Sequence, residues 1–82
     1  MQVLYFAWLR EHVGAASEEI DPGDAATARE LVAQLSTRDP RYAAAFADMS
    51  AVRVAIDQEM CDLDTPIAGA REIAFFPPVT GG

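Results

Sequence analysis

The sequence predicts a two-layer α+β domain, with one main helix covering one face of a mixed sheet of about five short strands. Three observations lead there. Runs rich in branched and aromatic residues occupy 2–9, 52–56 and 72–76, as strands do. Ala28, Leu31, Val32 and Leu35 recur at helical spacing and form a single apolar stripe. The chain has 82 residues, 51% of them apolar, which supplies a core for one domain and no more.

In chain order, Gln2 to Leu9 reads as the first strand, with Val3, Tyr5, Ala7 and Leu9 on one face and Leu4, Phe6 and Trp8 on the other. After Val13-Gly14, Glu18-Glu19-Ile20 is a weaker strand expected to form a hairpin with it. Pro22-Gly23 breaks the chain. Thr27-Ala28-Arg29-Glu30 matches a capping box, in which hydroxyl and carboxylate satisfy the free amides of a helix start. The main helix is expected over about 28–36. Asp39-Pro40 starts a short second helix carrying Tyr42, Ala45 and Phe46, with Asp39 as its cap.

Val52, Val54 and Ile56 alternate with Arg53 and Ala55 as a strand, and Asp57-Gln58-Glu59 turns it into another from Met60 to Leu63. Asp64-Thr65-Pro66 and Gly69 mark a loop. Glu72 to Phe76 is the last strand, ended by Pro77-Pro78 because proline has no amide to give to a ladder. A β-grasp arrangement satisfies this order if the first and last strands pair in the centre of the sheet. Residues 1–76 are then the domain and 77–82 an extended tail. One strand face lies under Leu31 and Leu35. We assign the odd set of the first strand to it, with Ile73 and Phe75, which leaves Phe6, Trp8 and Phe76 on the far face with Met60 alongside.

The formal charge is −7, from 13 acidic residues against six arginines and no lysine. A basic face is needed to neutralise phosphates, so nucleic acid and anionic membrane surfaces are not expected partners. The first nine residues lack a preceding basic segment and are too short for a bilayer span. Cys61 is the only cysteine, which rules out an intrachain disulfide and fits a cytoplasmic location.

Conventional catalytic groups are missing from the pattern. His12 is the only histidine and has no nucleophile near it in sequence. Cys61 in a strand reads as a small apolar filler. Asp57, Glu59, Asp62 and Asp64 lack calcium-loop spacing and read as a solvated hairpin, so no metal is expected. Without a glycine-rich phosphate loop the chain should hold no ATP of its own.

That directs attention to the end of the chain, Phe75-Phe76-Pro77-Pro78-Val79-Thr80-Gly81-Gly82. The two prolines favour an extended path off the sheet. Six extended residues reach roughly 20 Å. Gly81 and Gly82 allow a backbone carboxylate into a channel too narrow for side chains. Two terminal glycines arise by chance in about one chain in 200. The Phe-Phe-Pro-Pro before them makes the pattern specific.

This C-terminus, after Ile73-Ala74, closely resembles that of the molybdopterin synthase small subunits. The resemblance extends to Val3-Leu4-Tyr5-Phe6-Ala7 with Leu9-Arg10-Glu11, and to Ala55-Ile56-Asp57-Gln58-Glu59. The chain departs from the family at Asp57, where asparagine is frequent, and at Ala70-Arg71-Glu72, where Gly-Asp-Glu is. The resemblance implies a ubiquitin-like β-grasp fold and a sulfur carrier acting in a heterotetrameric synthase. Gly82 would be the reacting residue and Gly81 would supply access. An E1-like adenylating enzyme, ATP on that enzyme, a sulfur donor protein and the synthase large subunit are the implied partners and reagents. Phe6, Trp8, Met60, Phe76, Pro77, Pro78, Val79 and Thr80 would meet the partner. Sulfur carriage for thiamine or cysteine synthesis, and attachment to lysines as a ubiquitin-like modifier, are the alternatives; both share the activated terminus.

Overall fold

The computed structural model describes residues 1–78. Its elements are β1 (Gln2–Tyr5), α1 (Trp8–Val13), β2 (Ser17–Glu19), α2 (Ala28–Arg38), α3 (Pro40–Ala45), a 3-10 turn (Met49–Ala51), β3 (Arg53–Ile56), β4 (Glu59–Cys61) and β5 (Glu72–Phe76). The five strands form one sheet in the order β2-β1-β5-β3-β4. As expected, the first and last strands are neighbours inside the sheet. They run parallel, with Val3 opposite Ile73 and Tyr5 opposite Phe75. On the other side of β5, β3 runs antiparallel, with Val54 opposite Phe75 and Ile56 opposite Ile73.

Strand parity then builds the core. Val3, Tyr5, Val54, Ile73 and Phe75 point to one side and join Leu31, Val32 and Leu35 of α2 in a single buried cluster. Phe75 is fully buried, with the Phe46 ring edge-on at 5.0 Å and the Tyr5 ring stacked at 6.4 Å. Helix α2 starts where Thr27 Oγ1 accepts from the Glu30 amide at 3.2 Å. The Glu30 carboxylate reaches back one residue further than a standard box, to the Ala26 amide at 3.3 Å. The helix runs to Arg38, two residues past the expected end. There Asp39 turns extended and caps α3 by accepting from the Arg41 amide at 2.8 Å, with Pro40 in the first turn.

The first strand is shorter than the sequence suggests. It ends at Tyr5, because Ala7 adopts φ 55° and ψ −133° and turns the chain into α1. For a residue with a Cβ such a backbone costs on the order of 1–3 kcal/mol. Leu9 is buried as expected, but from a helix, where it shares a face with Val13 four residues on. Ala7, assigned to the core, is exposed. Trp8, assigned to the far strand face, is instead half-buried on α1, with its ring edge-on to His12 at 6.4 Å. Gly14 closes α1 at φ 85°, its amide donating to the Arg10 carbonyl at 2.8 Å. β2 does pair antiparallel with β1, but through α1 and not through a tight turn.

The β3–β4 hairpin turns at Asp57 and Gln58, both at positive φ (49° and 71°), the pair of signs a primed hairpin turn requires. Asp57 Oδ1 accepts from the amides of Arg71 and Glu72 at 2.9 and 3.0 Å, which ties this turn to the start of β5. β4 is Glu59–Cys61, so it starts earlier and ends before the expected Leu63.

Glu18 binds three elements together. Its Oε2 accepts from Tyr42 of α3 at 2.6 Å and from Tyr5 of β1 at 3.0 Å. Burial first, then the Glu18 charge and hydrogen bond, holds the Tyr5 phenol far above its ordinary range. Burial and the hydrogen bond to Glu18 push Tyr42 up to about 12, from 10.0. A folded-state pKa raised in this way contributes stability that is complete below the unfolded value and is lost as pH rises through the folded one. The window therefore opens near pH 10.0 and runs upward through about 12. In urea titrations across this window, wild-type stability should fall steeply. Tyr42→Phe should show a shallower fall, and a loss at neutral pH of about 1 kcal/mol for the missing hydrogen bond. Equal alkaline slopes in the two proteins would contradict this role for Tyr42.

Candidate functional site: an open sheet face beside the chain exit

The sheet face away from α2 follows from the same register. One row crosses four strands: Leu4 lies opposite Ala74, Ala74 opposite Ala55, and Ala55 opposite Met60. In the next row Phe76 stands opposite Arg53. Phe6 joins this row because its amide donates to the Phe75 carbonyl at 3.1 Å, just past the end of β1. Two large apolar side chains are exposed on the described residues, Phe6 (48%) and Met60 (69%), and this face carries both. Leu4 and Phe76 are half-buried. Grouped apolar groups of this kind on a small domain mark an interaction surface.

The structure thus brings Phe6 and Phe76 to one corner, where the chain leaves the sheet through the half-buried Pro77 and Pro78. Met60 shares their face, two strands beyond β5. Trp8 does not, since α1 carries it away from the strand. Val79, Thr80, Gly81 and Gly82 lie outside the described residues. Sequence reasoning put Leu4 on the face of Phe6 but missed the rest of the floor of this surface, Ala55 and Ala74. The signal was available: Ala55 and Ala74 fall on the parity of Phe76, and their small side chains leave a flat strip between Leu4 and Met60.

The remaining candidates have local roles. Cys61 is half-buried and packs against the core from β4. His12 is exposed on α1. Asp62 Oδ1 accepts from the Asp64 amide at 2.9 Å, and Asp64 pairs with Arg29 at 2.7 Å. That hydrogen bond holds the Asp64 carboxyl below the usual carboxylate range. Among the described residues no group of three or more His, Cys, Asp or Glu is placed to hold a metal ion. Nor is any described helix long and apolar enough to cross a membrane.

A five-stranded mixed sheet with parallel β1 and β5 at its centre, one main helix across one face and a chain exit at the corner of the other defines a β-grasp protein. Residues 3–82 match the model of the ThiS family, and the chain belongs to that family. It is 37% identical over 82 residues to the molybdopterin synthase sulfur carrier subunit of Escherichia coli K12, covering 100% of this chain and 99% of that one. The Haemophilus influenzae protein of the same name gives the same identity and coverage. Among solved structures, small archaeal modifier protein 1 of Haloferax volcanii superposes with a TM-score of 0.70 at 28% identity, over 96% of this chain and 97% of that one.

Proposed function

We propose that the chain is the sulfur-carrier subunit of a molybdopterin synthase. The observation that carries this is the 37% identity to two such subunits along essentially the whole of both chains. The terminal Phe75 to Gly82 segment and the apolar face beside its exit support it. In this reading residues 77–82 are a delivery tail, and the Gly82 carboxylate is the working group. A carboxylate oxygen is a poor leaving group, so Gly82 must be activated first. An E1-like enzyme joins it to AMP from ATP with release of pyrophosphate. Sulfur from a donor protein then attacks the acyl carbon, and AMP leaves. The thiocarboxylate enters the large subunit and gives its sulfur to the cyclic pyranopterin precursor, twice per dithiolene. The chain holds no cofactor of its own and acts in the cytoplasm.

The large subunit seats on the open face. Phe6 and Phe76 anchor it next to the tail, with Met60, Leu4 and the Ala55–Ala74 strip completing the surface. Pro77 and Pro78 stiffen the exit, Val79 and Thr80 line the path, and Gly81 leaves room for the last step into the site. A second reading, a protein modifier, draws on the likeness to the archaeal modifier protein. It differs in the acceptor, a lysine amine in place of the pterin, and leaves the activated terminus the same.

Two experiments test the proposal. Phe6→Ala or Phe76→Ala should weaken binding to the large subunit by roughly 2 kcal/mol or more, as for central aromatic anchors, with the fold retained. Affinity unchanged in both would mean that another face docks. Deleting Gly82, or changing Gly81 to valine, should abolish conversion of the precursor by the reconstituted synthase while thermal unfolding stays as in wild type. Full conversion by a chain lacking Gly82 would overturn the proposal.

A further inference from the structure

The charges around the open face are not evenly spread. Arg53 is the one basic residue in any of the five strands, and it stands opposite Phe76 in the row nearest the chain exit. At the other end of the same face, Gln2 lies between Glu19 of β2 and Glu72 of β5. The apolar row from Leu4 to Met60 separates the two ends. Among the described residues the ion pairs involve the Met1 amine, Arg29 and Arg41, and Arg53 has no carboxylate partner. Its Nη1 donates to the carbonyls of Ser50 and Val52 at 3.0 and 3.2 Å, which fixes one side of the guanidinium and leaves Nε and Nη2 for another acceptor.

We propose that this polarity fixes the direction in which the partner seats, and that Arg53 is the specificity-determining residue of the docking face. The inference rests on the sulfur-carrier reading, and the occupant is the large subunit. The row from Leu4 to Met60 alone looks nearly the same to a partner turned through half a circle. Phe6 and Phe76 mark one end of it, and the charges add a penalty against the turned seat, which would carry the tail away from its channel. Covering Phe6 and Phe76 also covers Arg53, and a guanidinium taken out of water with Nε and Nη2 unsatisfied and its charge unpaired is costly. The partner must therefore present a carboxylate against Arg53, to which the free edge of the planar fork donates two hydrogen bonds. It must present arginine or lysine against Glu72, since Glu19 at that end already pairs with the Met1 amine at 2.8 Å. The turned seat would set like charges against each other at both ends.

The test is titration of the full chain against the large subunit at several salt concentrations, with precursor conversion measured on the same proteins. Arg53→Glu and Glu72→Arg should each raise Kd by about tenfold or more, and Arg53→Lys, which keeps the charge but loses the fork, should raise it by less than Arg53→Gln does. Arg53→Gln, which removes the charge without reversing it, should raise Kd severalfold and flatten the salt dependence of association. Conversion by Arg53→Glu at saturating large subunit should stay below that of wild type, because part of the bound chain then seats with its tail away from the channel. Arg53→Glu and Arg53→Gln both binding within about twofold of wild type would overturn the inference, given the size expected for a covered charge pair. So would an unchanged salt dependence in folded Arg53→Gln. A wild-type chain that does not bind the large subunit at all would overturn the sulfur-carrier reading, and this inference with it.

Discussion

The parallel pairing of β1 with β5 is the constraint on which the rest of the molecule depends. It places the last strand inside the sheet, paired on one side with β1 and on the other with β3. Parallel neighbours cannot be joined by a tight turn, and everything from α1 to β4 lies in the connection between them. The pairing Tyr5↔Phe75 sets the register. A slip by one residue would expose Phe75 and bury Phe76, exchanging the core with the docking surface. The same register puts Phe6 beside the point where the chain leaves the sheet. Scaffold, surface and exit are therefore one geometric fact.

Much of this could be read from the residues, for identifiable reasons. The alternation of Val54 and Ile56 with Arg53 and Ala55, the Thr27 and Asp39 caps and the Pro77-Pro78 stop are local signals with a direct mechanical meaning, and each held to within a few residues. Helix α1 was not read, because Gln2 to Leu9 is apolar at both parities and gives strand reasoning no edge. Ala7 carries no mark of the positive φ it adopts, as a glycine would. The spacing of Leu9 and Val13 was the one helical cue. Trp8 moved off the strand face for this reason. Phe6 and Phe76 kept their places because both lie within or directly after true strands.

The site divides along the same line. The chemical end that we propose, Gly81 and Gly82, is visible in sequence because a terminal carboxylate needs no neighbours to define it. Its docking end depends on register. Leu4, Ala55, Ala74 and Met60 come from four strands, of which only β3 and β4 are neighbours in the chain, and only the pairing of those strands makes them a row. Arg53 shows the limit most clearly. On a strand that alternates, an arginine reads as ordinary solvated surface, and its meaning appears only once Phe76 is found opposite it. In the proposed function the domain supplies placement, a sheet with one apolar face, and leaves activation and catalysis to the proteins it meets.

The most direct measurement is the intact mass of the chain after incubation with the adenylating enzyme, ATP and a sulfur source, with fragmentation to locate any change. Sulfur carriage requires replacement of a single oxygen by sulfur at Gly82. ATP cleavage with an unchanged mass, or loss of the free chain into isopeptide bonds with other proteins, would contradict it.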